Sequence, residues 1–328
     1  MSRLPIEKPD IRLAMVGMVE GNGHPYSWSA IFNGYEPQEM AKCPYPVIPA
    51  YLGKQPPETL RIPGARVTHI WTDRPADAES VARASLIPHI LKSPEEAIGC
   101  VDAVIIPTDI GHQHVRRAGP FIEAGLPVFI DKPLVDDEPD LQVFMNWAAE
   151  GKPFLSSSCM RYAEEYLPFR ESELGLGSLR LMTMTTPKSW ERYGIHALEG
   201  LYPILGPGFI SARDIGSEDR NIVRLRHKSG IDVIVAAISD LYGAFGVLGL
   251  YGTEGHRQAV FSDTYYAFRK QLESFILYLR TGQSPFPFSE TVELMKMLIA
   301  GRRSRIEDGR EVFLEELCRS AKGRSRCP

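Results

Sequence analysis

The fold is most clearly indicated by the stretch Val128-Phe129-Ile130-Asp131-Lys132-Pro133. Its three apolar residues predict a short, fully buried strand of a parallel sheet. Asp131 and Lys132 then follow the carboxyl end of that strand, which is where open α/β sheets place their ligand crevice. Lys132 is therefore predicted to face a ligand. An ordinary turn with a solvated lysine explains the Asp-Lys-Pro tripeptide equally well when it is taken alone.

Apolar runs and helical patterns alternate through the first half of the chain, which is typical of a parallel sheet covered by helices. The apolar runs predict strands, and the amphipathic segments between them predict helices, the second of which is expected to stop at Gly125. The predicted strands are Ile11–Val16, Val67–Thr72, Val101–Ile106 and Val128–Ile130, and the predicted helices are Ala76–Ala84 and His114–Ala124.

The second half of the chain has a different pattern, with strands that follow one another directly. Ser229-Gly230 predicts a hairpin turn, so this sheet is expected to be mostly antiparallel. Two apolar stripes with helical spacing come afterwards and are predicted to stop at Gly282 and Gly301. The predicted strands are Leu179–Thr186, Ile222–His227, Ile231–Ser239 and Phe245–Tyr251, and the two stripes run over 268–279 and 292–299.

Residues 35–66 form an unusual connection that contains seven prolines. Such a segment cannot be a continuous helix or a central strand. It is either a functional loop or a surface excursion. Tyr35, Tyr45 and Tyr51 give it aromatic surface, and we predict that it is ordered and packs beside the ligand crevice or a partner chain.

Length and composition restrict the class of protein. The 328 residues are enough for one large domain or two medium ones, and the net charge of -4 argues against a nucleic-acid partner. Uncharged stretches such as 241–253 are too short to span a bilayer, so no membrane partner is expected. Five scattered cysteines without a Cys-x-x-Cys pair predict free thiols, a cytoplasmic location and no structural metal.

Glycines follow the first predicted strand at a position where a nucleotide phosphate could approach backbone amides. Gly17, Gly21, Asn22 and Gly23 are candidate phosphate-binding residues. The match to Gly-x-Gly-x-x-Gly is imperfect in both registers, and a plain glycine-rich turn explains the pattern equally well.

An acid, Asp73, ends the second predicted strand, where it can accept hydrogen bonds from the hydroxyls of an adenosine ribose. It would also repel a 2′-phosphate, which favours NAD over NADP, although Arg74 next to it would tolerate one. The alternative is that Asp73 only caps the following helix.

The loop after the third predicted strand is expected to border a nicotinamide ribose. Thr108, Asp109 and His114 are its candidate cofactor-binding residues. His112 is more simply explained as a helix-start histidine. His112 and His114 lie two residues apart, but no cysteine or acid at metal-ligand spacing accompanies them, so no metal site is predicted.

These segments together resemble the Gfo/Idh/MocA oxidoreductases, the family of glucose–fructose oxidoreductase and inositol dehydrogenase. Asp131-Lys132-Pro133 is similar to its Glu-Lys-Pro motif, and Gly194–Glu199 is similar to its Asp-x-Gly-x-His-x-x-Asp segment. The chain departs from the family pattern at Asp131, at Arg192, which stands where an Asp is usual, and at Glu199. Further matches are Val101–Ile106, His114, Glu123-Ala124-Gly125, Tyr266–Gly282 and Ser304–Val312.

The resemblance implies an α/β protein with two domains. Residues 1–135 would form a Rossmann-type parallel sheet domain that binds the dinucleotide. Residues 136–328 would form an α/β domain with an open, mostly antiparallel sheet that binds the substrate, with its closing helices packed back on the first domain. The open sheet is commonly used in oligomer contacts, so a homodimer or homotetramer is expected.

The implied activity is hydride transfer between NAD, or NADP, and a sugar, polyol or related hydroxy compound. His196 would accept the hydroxyl proton, and Lys132 would donate a hydrogen bond to the developing alkoxide or act as the base itself. Asp131 would hold the Lys132 ammonium, and Glu199 would orient His196. Two alternatives stay open: a glycoside-cleaving enzyme that retains its NAD, and a non-catalytic nucleotide-binding protein.

Overall fold

A computed structural model describes residues 4–170 and 174–317 and contains two sheets. The first sheet is parallel throughout, with the strand order β3-β2-β1-β4-β5-β6. Because the strand order reverses between β1 and β4, a crevice opens there at the carboxyl ends of the strands. The strands are β1 Ile11–Val16, β2 Ala65–Trp71, β3 His89–Ile90, β4 Ala103–Ile106, β5 Val128–Ile130 and β6 Phe154–Ser156.

Helices cover this sheet and also fill part of the proline-rich connection. The predicted helix at His114 is present, and residues 35–66 contain two short helices and a 3-10 turn in place of an irregular loop. The helices are α1 His24–Asn33, α2 Pro37–Met40, α3 Val47–Leu52, α4 Pro75–Ala84, α5 His114–Glu123 and α6 Glu138–Ala149, and the 3-10 turn is Pro57–Thr59.

Four of the six strands match the predicted apolar runs, with β1 and β5 at their predicted bounds. The strands β3 and β6 have two and three residues, which is too short for a periodic pattern to form. Because β6 pairs with β5 in the parallel sheet, the first sheet continues past residue 135, where the sequence placed the domain boundary. We propose that the boundary lies after Ser156.

The second sheet has the strand order β12-β11-β7-β10-β9-β8-β13. Only the β7–β10 pairing is parallel among its described pairs, so the expected mostly antiparallel sheet is confirmed. The hairpin at Ser229-Gly230 is also confirmed, since β9 and β10 pair antiparallel around it. The strands are β7 Leu179–Pro187, β8 Phe209–Asp214, β9 Arg220–His227, β10 Asp232–Ile238, β11 Val247–Gly252, β12 His256–Val260 and β13 Val312–Phe313.

Three further helices, α7 Ile195–Leu205, α8 Thr264–Thr281 and α9 Phe288–Ile306, connect the two halves of the chain. The helices α7 and α9 pack on the second sheet, whereas α8 packs back on α1 and α3, and α9 also contacts α6. The helix α8 ends at Thr281 and is followed, as predicted, by the stop residue Gly282, which has a left-handed conformation. Among the described residues no helix is both long and apolar enough to cross a bilayer.

The predicted end of the last helix at Gly301 is wrong, because α9 continues to Ile306. Gly301 is buried in the middle of the helix, where a β-carbon would lie 2.7 Å from the indole ring of Trp190. The same indole donates a hydrogen bond of 2.8 Å from Nε1 to the Leu298 carbonyl. This glycine therefore allows close approach of a side chain and does not end the helix.

We expect the substitution Gly301→Ala to destabilise the protein, because the added methyl group would overlap the Trp190 ring. Overpacking of this kind costs about 1–3 kcal/mol. Urea unfolding monitored by tryptophan fluorescence would measure the change. Gly243→Ala is the matched control, since a β-carbon there meets no atom within 4 Å. Equal unfolding midpoints for the two variants would contradict the assigned role of Gly301.

Candidate active site

Lys132 lies at the carboxyl end of β5 with its side chain only 3% exposed. Its ammonium is 3.7 Å from Oδ2 of Asp109 and 5.3 Å from the centre of the Tyr193 ring, and it makes no hydrogen bond to any described residue. Burial acts to lower the pKa of Lys132, but the carboxylates of Asp131 and Asp109 raise it above its ordinary value. The side chain is therefore a buried cation with free donor groups.

Asp109 connects Lys132 to the second half of the chain. Its carboxylate also accepts hydrogen bonds from Nη2 of Arg192, at 2.7 Å to Oδ1 and 2.8 Å to Oδ2. Burial favours the protonated acid, but Lys132 and Arg192 hold the pKa of Asp109 well below its ordinary value. Asp109 is thus ionised and forms ion pairs with two cations. The sequence pattern alone did not indicate these two partners.

His196 lies in the first turn of α7, behind the π-helical turn Trp190–Gly194. Its Nδ1 is 2.7 Å from Oγ of Ser158, and its Nε2 makes no hydrogen bond to a described residue. Burial lowers the pKa of His196 well below its ordinary value, and the nearby charge of Lys132 acts in the same direction. The imidazole is therefore neutral at pH 7.

Lys132 and His196 converge on the ring of Tyr193. The centre of the His196 ring is 5.0 Å from the centre of the Tyr193 ring, which the Lys132 ammonium also faces. One side chain is a charged donor and the other is a neutral ring with a free nitrogen. Such a pair can bind a hydroxyl group and accept its proton.

The carboxylate of Asp131 is not within 4.0 Å of the Lys132 ammonium, although its charge acts to raise the pKa of Lys132. Its Oδ2 is 2.8 Å from Nδ1 of His24 and 3.4 Å from Nδ2 of Asn22, and its Oδ1 accepts a hydrogen bond from the backbone N–H of Lys132. Because His24 begins α1, Asp131 connects the end of β5 to the glycine turn. Asp109 is the carboxylate that lies near the Lys132 ammonium.

Glu199 makes no hydrogen bond or ion pair to His196 among the described residues. Its carboxylate is paired with the guanidinium of Arg161 and accepts a hydrogen bond of 3.2 Å from the backbone N–H of Ser158. The residue that holds His196 is Ser158, whose Oγ also accepts a hydrogen bond from the N–H of Met160. A serine before a short helix is a capping signal, but the sequence does not show that it reaches His196.

The glycine turn after β1 packs against the loop after β4. A β-carbon on Gly17, whose φ is +104°, would lie 2.9 Å from Cγ2 of Thr108. Asn22 is buried and donates a hydrogen bond of 2.9 Å to the Pro107 carbonyl, while its Oδ1 accepts one from the N–H of His24. The Asn22 side chain thus makes its hydrogen bonds to other residues of the protein. Gly21 has φ +78° and free space around it.

The proline-rich connection covers the same turn. A β-carbon on Gly23 would lie 2.6 Å from Cδ2 of Tyr45 and from Cδ1 of Ile48. Further along α3, the Tyr51 hydroxyl donates a hydrogen bond to the Ser27 hydroxyl on α1. The prediction that this segment is ordered and packs beside the crevice is confirmed.

Asp73 follows β2 as predicted, and its side chain is 37% exposed. Its carboxylate accepts hydrogen bonds from Nη2 of Arg117 at 2.8 Å and from the N–H of Met18 at 3.1 Å. A cavity of about 160 Å³ lies beside Asp73 and Arg117. No sequence pattern indicates Arg117, which lies 44 positions from Asp73. Arg74 is turned outward with its side chain 78% exposed, and it pairs with Asp77.

His114 is fully buried, and its ring nitrogens face backbone carbonyls of two different loops. Its Nδ1 is 3.0 Å from the Leu134 carbonyl, and its Nε2 is 2.8 Å from the Thr108 carbonyl. The ring therefore bridges the loops that follow β4 and β5. Burial lowers its pKa, although the two carbonyls oppose this. Both nitrogens face protein atoms, so His114 positions Thr108 and has no free nitrogen for a cofactor.

The fold of the chain is similar to that of dehydrogenases of known structure. Myo-inositol 2-dehydrogenase from Lactobacillus plantarum superposes with a TM-score of 0.72 at 14% identity, over 93% of this chain and 99% of that one. Scyllo-inositol dehydrogenase from Lactobacillus casei, solved with NAD(H) and scyllo-inositol, superposes with a TM-score of 0.72 at 13% identity. This superposition covers 93% of this chain and 99% of that one. The chain has the fold of the Gfo/Idh/MocA oxidoreductases. The sequence resemblance is confirmed at the level of the fold.

Sequence similarity to characterised proteins is confined to a part of the chain. Inositol 2-dehydrogenase from Rhodococcus erythropolis (strain PR4 / NBRC 100887) is 35% identical over 112 residues. That alignment covers 33% of this chain and 32% of the enzyme, about a third of each. No family model matches the chain. The fold is therefore shared over nearly the whole length, whereas the sequence is shared over a much shorter segment.

We expect the protein to lose stability below about pH 6.5, where the histidines of the unfolded chain gain protons. The folded-state pKa of His196 is depressed, so the unfolded state binds more protons as the pH falls and unfolding becomes easier. The contribution of one such histidine approaches about 1.4 kcal/mol for each pH unit below 6.5. Urea unfolding at several pH values between 5 and 8 would measure this slope.

The variant His196→Gln should show a smaller slope than the unmodified protein over this range. His256→Gln provides the control, because His256 is exposed on β12. Identical slopes in the unmodified protein and in His196→Gln would show that His196 is not held neutral by the fold.

Proposed function

We propose that the protein is an NAD-dependent oxidoreductase that transfers a hydride between the cofactor and a hydroxyl-bearing carbon of a sugar or polyol. The observation that carries this proposal is the pairing of Lys132 and His196 across Tyr193. A buried cation without a hydrogen-bond acceptor and a neutral imidazole with a free Nε2 are the groups that oxidation of an alcohol requires. The similarity to inositol dehydrogenases supports the same substrate class.

The residues at the crevice fit a dinucleotide. Asp73, half-exposed beside a cavity, would accept hydrogen bonds from the adenosine ribose, and Gly21 would line the pyrophosphate. The loop Thr108–Asp109 would border the nicotinamide half. The cofactor supplies the hydride acceptor, and the protein supplies binding, orientation and electrostatics. The acid at Asp73 favours NAD, which is also the cofactor bound to the similar scyllo-inositol dehydrogenase from Lactobacillus casei.

Each side chain then has a distinct task. Lys132 stays protonated and donates a hydrogen bond to the substrate oxygen, since its pKa is raised, and this disfavours the alternative in which Lys132 is the base. His196 accepts the hydroxyl proton at Nε2, and Ser158 holds its Nδ1. This role requires the tautomer in which Nδ1–H donates to Ser158. Asp109 and Asp131 stabilise the positive charge of Lys132.

A second candidate function is an enzyme that retains its NAD while it cleaves a glycoside. The observation that favours it is the packing of Tyr45 and Ile48 against Gly23, because a covered glycine turn would slow exchange of a bound dinucleotide. The two candidates differ in a simple measurement. Stoichiometric NAD in the purified protein, with glycoside cleavage and without net reduction of added NAD, would support the second.

We further propose that the protein is cytoplasmic and forms a homodimer or homotetramer. The described cysteines Cys43, Cys100 and Cys159 are free thiols, which suits a reducing compartment. One face of the second sheet packs on helices, and its other face carries half-buried apolar residues such as Ile222 and Ile234. Contact between two copies through this face would cover these residues. Mass measurement in solution would test the assembly.

We expect the substitution Lys132→Met to lower kcat with an inositol or sugar substrate by about 10²–10³, because it removes the fixed cation at the alkoxide. The dissociation constant of NAD should change by less than about threefold. Steady-state kinetics and a fluorescence titration with NADH would measure the two effects separately. Lys228→Met, at an exposed position, is the control. An unchanged kcat would remove Lys132 from the mechanism.

We expect the unmodified protein to bind NAD more tightly than NADP, and Asp73→Ser to reduce that preference by about tenfold. The substitution removes the acid that would repel a 2′-phosphate and frees Arg117, which can bind a phosphate. Calorimetric titration of both proteins with both cofactors would test this. Tighter binding of NADP by the unmodified protein would refute the assignment of Asp73.

A further inference from the structure

Three cations, Lys132, Lys188 and Arg192, lie around Tyr193. The Lys132 ammonium is 5.3 Å and the Lys188 ammonium 4.2 Å from the centre of its ring, and Arg192 precedes it in the chain. Asp109 is shared between Lys132 and Arg192, and Asp131 is hydrogen-bonded to His24. Lys188, in contrast, has no carboxylate within 4.0 Å of its ammonium among the described residues.

Lys188 contacts Tyr193, whose ring lies beside Lys132 and His196. Its ammonium donates a hydrogen bond of 2.6 Å to the Tyr193 hydroxyl and lies 4.2 Å from the ring centre. Its positive charge also acts to lower the pKa of His196. Lys188 is half-buried and has a φ of +62°, a backbone conformation that is uncommon outside glycine and is concentrated at functional sites.

This arrangement leaves several donors without acceptors. A Tyr193 hydroxyl that accepts a hydrogen bond from Lys188 still has its own proton to donate, and it has no acceptor among the described residues. Lys188 keeps two further N–H groups. Three acids, Glu191, Glu218 and Asp219, line a neighbouring cavity together with Lys188, but no described carboxylate lies within 4.0 Å of its ammonium. The donors are therefore available to a ligand.

We infer that the substrate is an anionic sugar or polyol, whose charged group is bound by Lys188 and the Tyr193 hydroxyl, with Arg192 beside them. This inference rests on the proposed function and specifies its substrate class. A carboxylate or a phosphate ester offers the acceptor atoms that the unpaired donors lack, and charge-assisted hydrogen bonds of this kind are stronger than neutral ones. A neutral polyol would leave the Lys188 ammonium without an ion-pair partner.

The experiment compares ligands that differ only in the charged group. Glucuronate, glucose 6-phosphate and glucose would be titrated into the purified protein saturated with NADH, with binding measured by calorimetry. Galacturonate and galactose form a second matched pair. We expect at least one anionic member to bind about 10- to 100-fold more tightly than its neutral partner. The carboxylate and phosphate arms then identify which anion the site prefers.

Two variants assign the effect to Lys188. Lys188→Met should abolish most of the preference for the anionic ligand while changing the affinity for the neutral sugar by less than about threefold. Tyr193→Phe should reduce the same preference by a smaller amount. Lys228→Met, an exposed lysine without a described ion pair, should behave as the unmodified protein. Circular dichroism would confirm that each variant is folded.

Three results would overturn the inference. These are tighter binding of the neutral sugars, equal binding within each pair, and an anion preference that survives in Lys188→Met. Failure of the proposed function has a different signature, since the protein would then bind neither NADH nor NAD in a cofactor titration. A protein that binds NADH and oxidises neutral polyols in preference to sugar acids would retain the proposed function and lose this inference.

Discussion

The carboxylate of Asp109 lies between the Lys132 ammonium, 3.7 Å away, and the Arg192 guanidinium, 2.7 Å away. It follows β4 in the first sheet, whereas Arg192 belongs to the π-helical turn before α7. A buried carboxylate is costly unless it is paired and hydrogen-bonded. Here both cations compensate the cost, so the two halves of the chain are held in one relative position at the crevice. The position of Tyr193, next to Arg192, follows from this pairing.

The same charges set the protonation states that the proposed chemistry needs. Lys132 keeps its proton because Asp131 and Asp109 outweigh the effect of burial, whereas His196 loses its proton because burial and the Lys132 charge act together. Two neighbouring groups whose pKa values are shifted in opposite directions can act as hydrogen-bond donor and proton acceptor at the same pH. Arg192 stands where the resembling family has an Asp, and in this structure Arg192 is paired with Asp109 from the other side of the crevice.

The sequence predicted those features that depend on local pattern. The apolar runs of β1 and β5 and the strand-end position of Lys132 are examples, and Gly282 ended α8 as expected. Side-chain partners were not predictable, because Asp131 pairs with a histidine 107 positions away and Glu199 with an arginine 38 positions away. Gly301 was misread for a related reason. A glycine that ends a helix and a glycine that admits an indole ring are identical in sequence and differ only in tertiary contacts.

The irregular glycine turn is explained by its neighbours. Gly17 allows Thr108 to approach, and Gly23 allows Tyr45 and Ile48 to approach, so both glycines serve packing within the protein. Gly21, with positive φ and open space around it, is the part of the turn that a pyrophosphate can reach. The extra residues of the turn and the proline-rich connection thus belong together. Tyr45 and Ile48 of the proline-rich connection cover Gly23. Gly21 remains accessible at the mouth of the crevice.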